Sequence, residues 1–380
     1  MNETVELEEL EEQIKPSEFY NEGLHSTSVS FAKLFLMPFV FFAMLGFPTA
    51  YGGYVSAVSG FAAAAFFIFC GFFTLAPDQT VRREKIGRAL KRSWILFVIL
   101  FVVYLAISIA YLAYIGALDQ LGSADFLRKR TFFHFLVLNV WPMPVGSGIW
   151  FIHSLAYAYL FFFLTEKLKL SKFYLPILIF LLVAMLLCGE FAKVVGFPYF
   201  GYAYIPGGAF TKAIPFMLIG MFLRKGIDKL SRIPWFVYLI TFFLGIGITV
   251  GEFLLLSRLG LLVYTGNAIG HAVMAISFCC LALTKPDAMD NFLSEHGESY
   301  AFRMYALCQP VDFLLWFVLL ELFPEYVAML TEYRGLICLA ICFVVAFVTG
   351  LIKFEILDAR QQNLAETDGE NEEDEDKHES

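Results

Sequence analysis

Five ionisable residues stand in or at the edges of long apolar runs: Lys33, His153, Glu190, Glu252 and His271. An ionisable group in that setting is costly unless it is paired or hydrated, so each is a candidate for function. His153 follows Trp150-Phe151-Ile152 at the start of one run. His271 lies about two helical turns into another, after Asn267 and Gly270. An imidazole titrates near neutrality, which suits a general base or a proton shuttle. It also suits a hydrogen-bonded link across a helix interface, and the sequence leaves both roles open. Lys33, Glu190 and Glu252 lie near run ends, where their side chains can reach the headgroup region.

The strongest cationic feature is Arg82, Arg83, Lys85, Arg88, Lys91 and Arg92, just before Trp94. On a helix, Arg88 shares a face with Lys91 and Arg92 at i+3 and i+4. Retention of bases on the cytoplasmic side accounts for the cluster as a whole. The Arg88–Lys91–Arg92 face would also suit a phosphate-bearing ligand or an anionic lipid headgroup at the inner membrane surface. The sequence contains no Gly-rich phosphate loop, zinc-ligand spacing or nucleophile elbow. Its seven cysteines all fall inside apolar runs and read as small packing residues.

The elements that must position these residues are membrane helices. Hydrophobic residues make up 59% of the 380 and charged residues 16%. A soluble domain cannot hide that much apolar surface, whereas a bilayer accepts it as an outer face. The fold class is therefore all-α, a polytopic transmembrane bundle. The runs divide into about ten spans of bilayer length. They are 31–47, 54–76, 94–117, 148–164, 173–189, 210–223, 235–256, 264–283, 301–323 and 336–357. The short apolar piece 131–143, followed by Pro144, Gly146 and Gly148, reads as re-entrant or interfacial. The Tyr-, Pro- and Gly-rich stretch 196–208 reads as an aromatic interfacial belt or an outer lid.

Bases gather in alternate loops: the Arg82–Arg92 cluster, then Lys167, Lys169 and Lys172, then Arg224, Lys225, Lys229 and Arg232. The positive-inside rule puts these loops, and with them both termini, in the cytoplasm of a cell-membrane protein. Arg128, Lys129 and Arg130 dissent, falling on the outer side. The net charge of −8 belongs to the ends. Residues 1–30 hold eight acids and one base, and residues 361–380 nine acids and one base. Without them the 35 acids and 27 bases become 18 and 25, a net +7. Three regions follow: an acidic tail over 1–30, a transmembrane domain over 31–357, and an acidic, disordered tail over 358–380. The acidic N-terminus does not read as a signal peptide.

Several segments, in order, resemble the polytopic membrane acyltransferases of the acyltransferase 3 family. Ser59-Gly60-Phe61 with the run Phe66 to Phe73 resembles the family's second span. Ile86-Gly87-Arg88-Ala89-Leu90-Lys91-Arg92 resembles the basic lead-in to its third. Ile149-Trp150-Phe151-Ile152 resembles its Trp-Phe motif. Pro215 to Arg224 resembles a Phe-x-x-Gly-x-x-x-Arg span end, and Glu298 to Pro310 its Ser-Tyr-x-x-Tyr-x-x-His-x-Pro region. The likeness covers most of residues 30–357. It implies a bundle of about ten helices and transfer of an acyl group from acyl coenzyme A to a hydroxyl of an envelope carbohydrate or lipid. Expected partners are then the bilayer, the acyl donor and that acceptor, with no nucleic acid. The donor is a substrate, not a permanently bound cofactor.

The chain departs from the pattern. The family's first-span His is missing, with Ala43 and Met44 near its place, and Lys33 stands where an Arg would. Arg88 and Lys91 give Arg-x-x-Lys instead of Arg-x-x-Arg, which removes one bidentate fork. Cys308 and Gln309 replace the late His. Acyl transfer needs a base, so His271 and His153 become the candidates, with Arg88, Lys91 and Arg92 as the donor-binding face. The alternative reading is a transporter or assembly partner for envelope glycans or lipids that uses the same cavity without chemistry.

Overall fold

Prolines and glycines set the joints of this bundle. The computed structural model describes residues 15–48, 50–76, 78–117, 135, 139, 145, 147–189, 191–196, 208–261, 267–289, 291–327 and 331–352. Within them every regular element is a helix. A short helix α1 (Pro16–Glu22) precedes the first long apolar run. That run forms α2 (Thr27–Phe35) and α3 (Met37–Leu45), jointed beside Pro38, whose ring cannot donate to the preceding turn. Next come α4 (Gly52–Ser59) and α5 (Phe61–Thr74), jointed at Gly60. Asp78 caps α6 (Gln79–Tyr114) by accepting from Val81 N at 2.9 Å. At 36 residues α6 is about 54 Å long, more than a hydrocarbon core of about 30 Å. It therefore begins well before Trp94, because charged residues do not interrupt a helix.

A 3₁₀ turn (Ser147–Ile149) leads into α7 (Trp150–Lys167), and α8 (Tyr174–Cys188) follows. A π-turn (Ala209–Ala213) opens α9 (Ile214–Lys225). The remaining helices are α10 (Trp235–Arg258), α11 (Ile269–Leu283), α12 (Phe292–Leu322) and α13 (Thr331–Ile352). Among the described residues, six helical stretches are long and apolar enough to cross a membrane: Thr27–Leu45, Gly52–Thr74, Gln79–Tyr114, Trp235–Arg258, Phe292–Leu319 and Thr331–Ile352. The protein is thus a helical, multi-pass membrane protein. Ile240, Phe243 and Leu244 of α10 and Val98, Ile99 and Val102 of α6 are exposed, as lipid-facing residues are.

Close helix crossings hold the interior together. A Cβ at Gly220 of α9 would lie 2.7 Å from Phe72 N of α5, and one at Gly71 would lie 2.6 Å from Met217 C. A Cβ at Gly270 of α11 would lie 2.6 Å from Thr249 N of α10. Without side chains at these points the backbones approach closely, the packing mode of membrane helices. Around them lies an aromatic core that includes Phe61, Phe67, Phe72, Phe162 and Phe216. A second core joins α2 and α3 to α12 and α13 through Met37, Phe41, Met304, Cys308, Cys338 and Cys342. Six cysteines are described and free, and all but the half-buried Cys70 are fully buried, in keeping with a packing role.

The acidic stretch 1–30 is not a tail throughout. Ser17 Oγ donates to Asp228 Oδ2 at 2.7 Å, and Arg224 donates to the Tyr20 carbonyl at 3.0 Å and to Asn21 Oδ1 at 3.1 Å. The Tyr20 hydroxyl donates to Leu283 O at 3.1 Å, and burial pushes its pKa up. These contacts dock α1 on the ends of α9 and α11. The remainder, 1–14, the tail from 353 onward and most of 131–143 and 196–208 lie outside the described residues.

Candidate functional site

A chamber of about 500 Å³ opens inside the bundle. That size falls within the range of about 300–1,000 Å³ usual for small-ligand pockets. Its walls are mainly apolar, formed by Met37 and Val40 of α2–α3, Phe66 of α5, and Phe151 and Leu155 of α7. Ser56, Ser59 and Tyr305 add hydroxyls, and Lys33, Lys212 and Glu298 add charges. Lys33 Nζ pairs with Glu298 Oε1 at 2.7 Å, tying α2 to α12. Glu298 N also accepts support from α2 by donating to Ser30 Oγ at 2.9 Å. The buried Lys212 ammonium sits 5.8 Å from the Trp150 ring centroid, within cation–π range. Lys212 belongs to the π-turn, an irregularity frequent at functional sites. Tyr305 donates to Gly148 O at 2.5 Å and so fixes the start of α7 beside the chamber.

The structure separates the residues that the sequence put together. Arg88 is exposed and pairs with Glu84 at 3.3 Å; Lys91 and Arg92 are also exposed. None of the three lines the chamber, and neither histidine does. His271 sits in the crease between α4 and α5, where a Cβ on Gly60 would come within 2.9 Å of its Nε2. Its Nε2 faces Ala57 O at 2.5 Å, and its Nδ1 accepts from Ala268 N at 3.3 Å. Both ring nitrogens are therefore engaged by backbone. Of the two roles left open for His271, the geometry carries the interhelical link. Glu252 likewise serves structure: its carboxylate accepts from Ile269 N at 3.2 Å and Gly270 N at 3.3 Å, capping α11. Glu190 lies outside the described residues.

His153 is different. It is fully buried, stacked on Phe97 at 4.8 Å and Phe135 at 5.2 Å between ring centroids. Its Nδ1 meets Asn139 Oδ1 at 2.5 Å, while Nε2 has no hydrogen-bond partner among the described residues.

Comparison with protein families, curated proteins and solved structures finds no match to this chain. Its site is accordingly read from its own geometry. Sequence reasoning passed over three residues in particular. Lys212 sits in a stretch without charged neighbours, a signal that would have singled it out. Asn139 gave none, since a single amide in a Pro-rich stretch is ordinary. Glu166 stands beside Lys167 at a run end, where no local pattern marks it. It is buried, and accepts from Arg82 Nε at 2.8 Å, Arg82 Nη2 at 3.2 Å and the Tyr174 hydroxyl at 2.9 Å.

Proposed function

We propose that this protein is an acyltransferase-like enzyme that moves an acyl group from acyl coenzyme A to a hydroxyl of an envelope carbohydrate or lipid. The observation that carries the reading is the mainly apolar chamber with polar groups on its wall. An acyl chain is recognised by such walls through burial alone. The family resemblance of the surrounding segments adds to it. In this reading α8, α9, α11 and α7 complete the six long stretches to a bundle of ten spans. The exposed Arg88–Lys91–Arg92 face gathers the donor's phosphates at the inner surface.

In the reaction the acceptor hydroxyl oxygen attacks the thioester carbonyl, the carbon–sulfur bond breaks, and the hydroxyl proton passes to a base and then to the leaving thiolate. His153 takes the base role, because its Nε2 alone of the imidazole nitrogens described above is not engaged by backbone or side chain of the described residues. It lies on the α6 side of α7, whose other face walls the chamber. A second reading, a carrier of envelope lipids without chemistry, is favoured by one observation: neither histidine lines the chamber.

The test uses the purified full chain in lipid nanodiscs with radiolabelled acyl coenzyme A of graded chain length and envelope extract as acceptor. Label should enter an acceptor lipid or glycan. Ala63→Phe, which fills the chamber, should shorten the preferred chain. If no donor of any length binds or transfers label, the enzymatic reading fails and the carrier reading stands.

A further inference from the structure

Asn139 is held by its own hydrogen bonds in a way that dictates the chemistry of His153. Its amide nitrogen donates to Trp150 O at 2.7 Å and to Ser154 Oγ at 2.8 Å. A backbone carbonyl can only accept, so the Trp150 contact settles which end of the amide is NH₂. The remaining end, Oδ1, can only accept, and it faces His153 Nδ1 at 2.5 Å. His153 Nδ1 must then carry the proton. A neutral imidazole has one N–H, so Nε2 carries the lone pair. That nitrogen is fully buried and has no hydrogen-bond partner among the described residues. Asn139 itself has φ of +58°, a left-handed conformation that side chains rarely adopt and that Asn tolerates best after glycine. Strain of this kind persists where the surroundings demand a particular geometry.

We infer that Asn139 is a positioning residue that locks His153 in the Nδ1–H tautomer and leaves Nε2 as the ring's accepting nitrogen. The inference deepens the reading of His153 as the base, resting on it for the chemistry but not for the tautomer. A nitrogen that carries a lone pair can take a proton and cannot give one. The Asn–His pair thus has the logic of a base oriented by a third group.

The tautomer can be read directly. The full chain, labelled with ¹⁵N-histidine and held in nanodiscs, gives each imidazole nitrogen a resonance that distinguishes N–H from bare nitrogen. Assignment by a His153→Gln control isolates the signals of interest. The expected spectrum has His153 as Nδ1–H with bare Nε2. Asn139→Gly, which relieves the positive φ and removes the amide, should lose it in favour of mixed tautomers. A wild-type spectrum with Nε2–H, or an Asn139→Gly spectrum unchanged from wild type, overturns the inference. If the tautomer is as stated but no acyl transfer is found, the positioning role stands and the enzymatic reading alone falls.

Discussion

Glu166 shows what a buried charge demands at the scale of one residue. Its side chain is 1% exposed, and Arg82 at 8% is its partner, further tied to Ala76 O at 2.9 Å. Removing one member of such a pair leaves the other ionised without compensation, at a cost of about 3–5 kcal/mol. Glu166→Ala should therefore lower the thermal unfolding midpoint of the detergent-solubilised protein sharply. The joint replacement Arg82→Met with Glu166→Leu should recover most of the loss, because the desolvation of both charges disappears with them. Equal midpoints for Glu166→Ala and wild type would show that the pair contributes nothing. Neither partner's role was legible in the sequence. Arg82 read as one base among six, and a separation of 84 positions hides the pair from any local pattern. His271 was legible as costly but not as satisfied, since the Ala57 carbonyl it meets leaves no trace in residue type. His271→Ala should cost about 1–3 kcal/mol, the penalty of stranding a buried polar group. If the proposed acyl transfer holds, His271→Ala that remains folded in nanodiscs should match wild type in transfer rate, while His153→Ala loses transfer.

The helices themselves were largely legible, because an apolar run of bilayer length has few other fates. The run 148–164 became α7 (Trp150–Lys167), and 173–189 became α8 (Tyr174–Cys188). Polar ends were read less well: α6 starts at Gln79, where hydropathy has already failed, because Asp78 caps it. Helix-to-helix proximity was not legible at all. Gly220 appeared only as part of a span end, and its function is to let α9 rest on the α5 backbone. Gly220→Leu should then force α5 and α9 apart. An overpacked interior costs about 1–3 kcal/mol, and here the opposing atoms are backbone, which cannot swing aside. The loss would appear as a lower unfolding midpoint in detergent, with Gly247→Leu, whose added Cβ meets nothing within 4 Å, as the matched control. Similar midpoints for the two variants would mean the α5–α9 crossing is loose.

At the scale of the whole molecule, the charges and the contacts agree on two distinct ends. Arg82 of α6 binds Glu166 near the end of α7, and Arg224 at the end of α9 binds Phe72 O near the end of α5 and the α1 residues Tyr20 and Asn21. Tyr20 reaches Leu283 at the end of α11. These links bring the three base-rich loops and α1 to one end. Tyr51 and Tyr54, between α3 and the body of α4, belong to the other, where Tyr54 meets Phe253 of α10 edge-on at 5.4 Å between ring centroids. Retention of bases in the cytoplasm would then place the α1 end inside the cell and Tyr51 outside. A cysteine-free background with single probes tests this, because Arg83 and Tyr51 are both exposed. Arg83→Cys should react with an impermeant maleimide only after the cells are opened, and Tyr51→Cys should react while they are intact. The reverse pattern would invert the molecule. The Arg88–Lys91–Arg92 face would then look out of the cell, away from any cytoplasmic pool of acyl coenzyme A, and donor binding at that face would be lost along with the orientation.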